Sequence, residues 1–192
     1  LNSAAIAVYA ERRIAGFIQH RWGPNRVGPL GLLQPIADVL KLILKEDVTP
    51  TQGNRTLHSI APLIPVITAL MTVAVIPFGE GLYATNINAG VIYLLAVASL
   101  GVYGVTLGGW ASNSKYSLLG GLRAAAQMIS YELPLGMAIA SVVLFVGSLS
   151  VVDIAAAQEN WWFIFLNPIG GIIFIIAVFA ESNRTPFDIV EA

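Results

Sequence analysis

A glutamate inside a long apolar run is the residue of this chain best placed for proton chemistry. Glu132 lies about nine residues into the run at 123–146, or about 13 Å from the inner end of a helix. A charged group at that depth costs about 2.5–3.5 kcal/mol on insertion scales, and it normally faces a bundle interior or water along an ion or proton path. The alternative is a buried glutamate that only holds helices together through hydrogen bonds.

Three more acids follow near the end of the chain. Glu181 closes the last apolar run, and Asp188 and Glu191 come shortly after it. Together with Glu132 they could form a string of carboxyl groups leading from the inner surface into the membrane. A solvated acidic cluster beside the membrane explains the same three residues equally well from the pattern alone.

Basic residues gather near the start of the chain, in a stretch that Gly and Pro interrupt repeatedly. Six of the ten basic residues lie there: Arg12, Arg13, Arg21, Arg26, Lys41 and Lys45. The stretch 11–46 is too polar to cross a bilayer. A plain stop-transfer cluster would explain Arg12 and Arg13, but not the Gly-Pro turns and further arginines that follow.

Residues 32–46 within this stretch have the period of an amphipathic helix. Their apolar positions are Leu32, Ile36, Val39, Leu40 and Ile43, and their polar positions are Gln34, Asp38, Lys41 and Lys45. The pattern predicts a helix lying on the inner membrane surface. Alternatively, its polar stripe lines a cavity shared with a soluble partner, with Asp38 paired to Lys41.

Composition places all these residues in a polytopic α-helical membrane protein. Apolar residues make up 56% of the chain and charged residues 11%, against about 25% charged in soluble domains. We expect one all-α transmembrane domain over 1–192, with about five spans and the interfacial helix. The predicted spans are 1–10 (the end of a first span), 59–78, 88–110, 123–146 and 161–181. Asn167-Pro168 predicts a capped helix start inside the last of these.

The charges of the loops predict the orientation. Basic residues mark the cytoplasmic or matrix side, which puts the charged loop 11–58, the segment 111–122 and the start of an acidic loop at 182–192 on the inside. We also expect the chain to be partial, because its first apolar run is about half of the 20 residues that a span needs.

Several site types are excluded within this chain. It has no cysteine and two histidines, so it can hold neither an Fe–S cluster nor a thiolate zinc site, and a metal site is not expected. Neither of the common glycine-rich phosphate-binding motifs is present. We therefore expect no catalytic residue in this chain by itself, and any redox cofactor is diffusible or held by another subunit.

Several long motifs, in a fixed order, resemble the H-subunit family of NADH-quinone oxidoreductases, the quinone-chamber membrane subunit of respiratory complex I. The first covers 11–46 and includes GPNRVG at 23–28; the others lie at 109–117, 122–132 and 180–188, the last containing NRTPFD. The resemblance implies that the chain forms part of the quinone chamber at the junction with the peripheral arm. It also implies the start of an acidic path that couples quinone reduction to proton translocation.

The resemblance assigns roles to particular positions. It implies that five residues line or neighbour the quinone chamber: Arg12, Gln19, Arg21, Asp38 and Lys41. It implies that four acids belong to the proton path: Glu132, Glu181, Asp188 and Glu191. The chain is then a subunit of a proton-translocating NADH:quinone oxidoreductase with no activity expected alone.

Substrate, partners and location follow from the same resemblance. Ubiquinone or menaquinone is the expected substrate, with FMN and Fe–S clusters on partner subunits only. Expected partners are the quinone-module subunits of the peripheral arm, the small and antiporter-like membrane subunits, and the lipid bilayer, but no nucleic acid. We expect a bacterial inner (plasma) membrane with loop 11–58 in the cytoplasm; the alternative is a mitochondrial inner membrane with that loop in the matrix.

Three other functions compete with this one. The homologous membrane subunit of a ferredoxin-dependent or hydrogenase-type energy-converting complex shares the architecture but takes different electron donors. A stand-alone ion transporter would need an internal inverted repeat, and the sequence shows none. A purely structural anchor predicts that Glu132→Gln leaves coupled activity intact.

Overall fold

A computed structural model describes residues 2–46, 48–79, 81–183 and 187. These residues form α-helices, one short 3-10 turn and loops, without a β-strand among them. The predicted all-α class is therefore confirmed. The chain divides into two compact units, Leu1–Val48 and Thr49–Ala192.

The first unit contains two helices, α1 (Asn2–Ile18) and α2 (Gln34–Leu44). Because no proline or pair of turn residues interrupts it, α1 continues past Ala10, and Arg12 and Arg13 are helical rather than part of a loop. Helix α2 lies inside the predicted range 32–46 and has its proline in the first turn. Its large apolar side chains are exposed, as a membrane-surface helix requires.

A tight loop with a 3-10 turn at Pro29–Gly31 connects the two helices. Gly31 has φ of 80°, and a Cβ placed there would lie 2.1 Å from the carbonyl oxygen of Pro24. Leu30, although not a glycine, has φ of 55° and ψ of 16°. Positive φ and this close approach together require glycine at position 31.

The second unit is a bundle built around its longest helix. Its helices are α3 (Arg55–Ile60), α4 (Leu63–Val73), α5 (Gly90–Ala111), α6 (Lys115–Val146), α7 (Val151–Ala156), α8 (Phe163–Leu166) and α9 (Pro168–Glu181). Helix α4 packs against α5, α5 against α6, and α6 against α9. Helix α6 therefore lies between α5 and α9.

Three helical segments in the described residues are long and apolar enough to cross a membrane: Arg55–Val73, Gly90–Ala111 and Lys115–Val146. Large apolar side chains on α6 are open to the surroundings, with Met137 at 74% and Leu144 at 84% of their maximal exposure. Exposed apolar surface on long apolar helices is typical of a helical membrane protein. The count of five spans stays a prediction.

The last predicted span is interrupted at Asn167-Pro168, as expected. The Asn167 side-chain oxygen accepts a hydrogen bond from the Gly170 backbone N–H at 3.1 Å, and Pro168 occupies the first turn of α9. The Asn167 amide also donates to the Ser141 hydroxyl on α6 at 2.7 Å. Helix α9 has 14 residues and a length of about 21 Å, shorter than the hydrocarbon core of about 30 Å.

Glycine at position 104 allows α5 to approach α4 closely. A Cβ on Gly104 would lie 2.6 Å from Cδ of Pro65 and 2.9 Å from the carbonyl oxygen of Ala61. Small residues serve this purpose at helix contacts within membranes. Gly108 on the same helix has ordinary spacing, its Cβ position being 3.7 Å from Cβ of Ala61.

Candidate functional site

An ion pair joins the two helices of the first unit. Nη1 of Arg12 on α1 donates to Oδ2 of Asp38 on α2 at 2.5 Å. The other carboxylate oxygen, Oδ1, accepts from Nε2 of Gln34 at 3.1 Å. The alternative pairing of Asp38 with Lys41 is not found among the described residues: α1 brings a guanidinium to the carboxylate, and a planar guanidinium suits a carboxylate better than a lysine on the same helix.

A second arginine holds the connecting loop against α1. Nη1 of Arg13 donates to the Leu30 carbonyl oxygen at 2.8 Å and to the Tyr9 hydroxyl at 2.7 Å. The Tyr9 hydroxyl donates to the same carbonyl at 2.8 Å. This cluster accounts for the unusual backbone of Leu30, whose carbonyl is turned toward α1.

The remaining predicted chamber residues lie on the polar surface of this unit. Nε of Arg21 donates to Oε1 of Gln19 at 2.6 Å, and both side chains are exposed, as is Lys41. The structure thus joins Arg12 to Asp38 and Arg21 to Gln19, and it leaves charged and amide groups available on the surface. Such groups can donate hydrogen bonds to carbonyl oxygens and stabilise developing negative charge.

Two of the predicted path acids lie in the second unit on helices that pack against each other. Glu132 lies on α6 and Glu181 is the last residue of α9. Oε1 of Glu132 is buried and has no hydrogen-bond partner among residues 2–46, 48–79, 81–183 and 187.

An amide on α6 binds backbone on both sides of the end of α9. Nε2 of Gln127 donates to the Ala180 carbonyl at 3.0 Å and to the Phe187 carbonyl at 2.9 Å. One turn further along α6, the Tyr131 ring meets the Phe187 ring edge to face, with centroids 5.3 Å apart. The predicted path residues Asp188 and Glu191 lie outside the described residues.

The structure adds Gln127, Phe187 and Asn183 to the predicted site. Asn183 has φ of 48°, and its buried Oδ1 lacks a hydrogen-bond partner in the part of the chain that the structure describes. A glutamine inside an apolar run was a usable signal, since a buried amide requires partners. The partners themselves lie 53 and 60 residues away in the chain and have no local signature.

The described residues contain two other features to consider, possible metal ligands and a cavity, and neither has a cluster of charged side chains. No three histidine, cysteine or acidic side chains among them gather as they would around a metal ion. A cavity of about 570 Å³ lies between α5, α6, α7, α8 and α9. Its lining is uncharged, with Gln158 and Asn167 as its amide groups, so it is not part of the acidic cluster.

Comparison with known proteins identifies the family. The sequence profile of the NADH dehydrogenase family matches residues 1–192. The chain belongs to that family. It is 58% identical to the H subunit of the NADH-quinone oxidoreductase of Salinibacter ruber, 57% to NADH-quinone oxidoreductase subunit 8 of Rhodothermus marinus and 53% to the H subunit of the Bacillus thuringiensis enzyme.

Each of these alignments covers all of this chain and 57–58% of the relative. The chain therefore spans somewhat more than half the length of the relatives that it matches. The resemblance to the H-subunit family is confirmed across the whole length of the chain.

Proposed function

We propose that this chain is a membrane subunit of a proton-pumping NADH:quinone oxidoreductase. In this proposal its first unit forms part of the quinone-binding chamber, and its acids begin the path that couples quinone reduction to proton translocation. The observation that carries the proposal is the buried carboxyl oxygen of Glu132, which has no hydrogen-bond partner among the described residues, in a chain 53–58% identical to subunits of NADH-quinone oxidoreductase. Those relatives favour the NADH-linked enzyme over the ferredoxin- or hydrogenase-linked alternative.

The chamber role rests on the polar groups of the first unit. Quinone carbonyl oxygens accept hydrogen bonds, and their reduction builds negative charge that arginine and lysine stabilise. The proposed chamber residues are Arg12, Gln19, Arg21, Asp38 and Lys41. The Arg12–Asp38 pair fixes α2 against α1, which would hold these groups in position on one folded unit.

The path role rests on the coupling between carboxyl groups. Reducing a quinone takes up two electrons and two protons, and moving one charge across a membrane costs about 2.3 kcal/mol per 100 mV. Each change of protonation at Glu181 would alter the electrostatic potential at Glu132, because the two residues lie on helices that pack against each other. A charge change near the inner surface would thus pass into the membrane; Asp188 and Glu191 are proposed to extend this path.

Partners and location belong to the same proposal. The expected neighbours are the quinone-module subunits of the peripheral arm, which with the NADH-oxidising module would carry the Fe–S clusters and FMN, and the small and antiporter-like membrane subunits. The relatives are bacterial, which favours a bacterial inner membrane with the basic loops in the cytoplasm. Ubiquinone or menaquinone is the proposed substrate.

The test uses Glu132→Gln in the assembled complex, with assembly checked on a native gel. We expect NADH:quinone reductase activity linked to proton pumping to fall at least tenfold, because glutamine cannot carry the proton. The matched control is Glu159→Gln, an exposed glutamate that we expect to be replaceable without effect. Full activity and full pumping in Glu132→Gln would contradict the path role and favour the structural-anchor alternative.

A further inference from the structure

The side chain of Gln127 on α6 makes two hydrogen bonds to distant backbone carbonyls. Its amide nitrogen carries two hydrogens, and both are used, on the carbonyl oxygens of Ala180 and Phe187. Those carbonyls are seven residues apart in sequence, enough for an extended chain to span more than 20 Å. Because one atom contacts both carbonyls, residues 180 and 187 lie against the same point of α6.

The position of Gln127 links this contact to the two carboxyl groups. Ala180 immediately precedes Glu181, and Phe187 immediately precedes Asp188 in the sequence. On α6, Tyr131 lies one turn beyond Gln127 and on the same face, where its ring meets that of Phe187. Glu132 is the next residue after Tyr131.

We propose that Gln127 is a positioning residue for the acidic pair. By binding the backbone at Ala180 and Phe187 to α6, it fixes the separation of the Glu181 carboxyl from the Glu132 carboxyl, and therefore how strongly each responds to the charge of the other. The effect of Gln127 on proton transfer rests on the proposed function. The hydrogen bonds by which Gln127 holds the backbone at residues 180 and 187 against α6 do not depend on it.

The first test measures how often residue 187 separates from the surface of α6 and becomes accessible to a thiol reagent. Residues 1–192 contain no cysteine, so Phe187→Cys introduces a single thiol into this part of the subunit. We would follow labelling of this thiol by a small maleimide in the assembled complex, reading the label on the peptide that contains residue 187. Gln127→Met keeps the length of the side chain but loses both donors, and we expect it to raise the labelling rate about tenfold, the effect of losing two hydrogen bonds.

The matched control is Ser130→Ala. The Ser130 hydroxyl donates to the Ala126 carbonyl within α6, so its loss removes a polar group from the same helix without touching Ala180 or Phe187. We expect an unchanged labelling rate. Equal rates in Gln127→Met and the unmodified background would overturn the proposal, whatever the activity of the complex.

The functional test compares Gln127→Met, Glu132→Gln and the double variant, with Phe187 intact. If Gln127 acts through the acidic pair, Gln127→Met lowers the protons pumped per electron pair and shifts the pH profile of quinone reduction. It then adds nothing further in the Glu132→Gln background, since residues acting as one unit are not additive. Unchanged pumping and an unchanged pH profile in Gln127→Met, in a complex that Glu132→Gln inactivates, would overturn the positioning role and leave the proposed function standing.

The experiments can also contradict the proton-path role of Glu132 while supporting the positioning role of Gln127. If Glu132→Gln is fully active while Gln127→Met accelerates labelling at residue 187, the path role of Glu132 is wrong. The role of Gln127 in holding the backbone against α6 is then supported by a measurement that does not depend on proton pumping.

Discussion

Replacing Gly104 by alanine should destabilise the contact between α4 and α5. The added methyl group would lie 2.6 Å from Cδ of Pro65 and 2.9 Å from the carbonyl oxygen of Ala61. Both are parts of rigid groups, a proline ring and the backbone that joins α3 to α4, so neither can move aside as a flexible side chain would. The helices must therefore separate locally.

The size of the effect follows from two opposed terms. Alanine is favoured over glycine within a helix by about 1 kcal/mol, whereas forcing a methyl group into a tight contact costs about 1–3 kcal/mol. We expect a net loss of up to about 2 kcal/mol in the free energy of unfolding for Gly104→Ala. Gly108→Ala is the matched control on the same helix, since its methyl group would lie at an ordinary 3.7 Å from Cβ of Ala61.

The assay is thermal unfolding of the full-length subunit in detergent, followed by the fraction that remains monodisperse on size exclusion. A change of 1 kcal/mol corresponds to about 2–4 °C in a domain of this size. Gly104→Ala should lower Tm by a few degrees, and Gly108→Ala should leave it equal or raise it. Equal shifts in the two variants would refute the reasoning, because the sequence change is the same and only the local spacing differs.

Two further predictions concern helix ends and the first unit. Asn167→Ala should lower the free energy of unfolding by about 0.5–2 kcal/mol, the usual value of a helix cap, measured by the same thermal assay with the exposed Asn88→Ala as control. Asp38→Asn should weaken the bond from Arg12, but because the paired side chains are partly exposed the loss should be only about 0.2–1 kcal/mol. The loss of free energy of unfolding caused by Asp38→Asn should be smaller still in high salt. If this loss does not change with salt concentration, the electrostatic explanation is contradicted.

Local signals in the sequence predicted local structure well. The i, i+4 apolar spacing of residues 32–46 predicted α2, because periodicity depends on neighbouring turns only. Asn167-Pro168 predicted a helix start for the same reason. Hydropathy was less informative about helix ends: α6 begins at Lys115, eight residues before the predicted span, because apolarity marks the membrane boundary and not the last helical hydrogen bond.

Long-range pairs could not be predicted in this way. The helical spacing offered Lys41, at i+3, as an alternative partner for Asp38, yet Asp38 binds Arg12, 26 residues away. That choice depends on the reversal of the chain between α1 and α2, which requires the backbone conformations of Leu30 and Gly31. The partners of Gln127 depend in the same way on how α9 packs against α6.

The length of α6 has a mechanical consequence. Its 32 residues measure about 48 Å, while the hydrocarbon layer measures about 30 Å. A helix that is longer than the layer by this margin must emerge from it, tilt, or do both, so a modest change in bilayer thickness need not strain its ends. The place of Glu132 in the bundle is then set by the packing of α6 against α5 and α9 and not by hydrophobic mismatch, so the proposed proton path would tolerate membranes of different lipid composition.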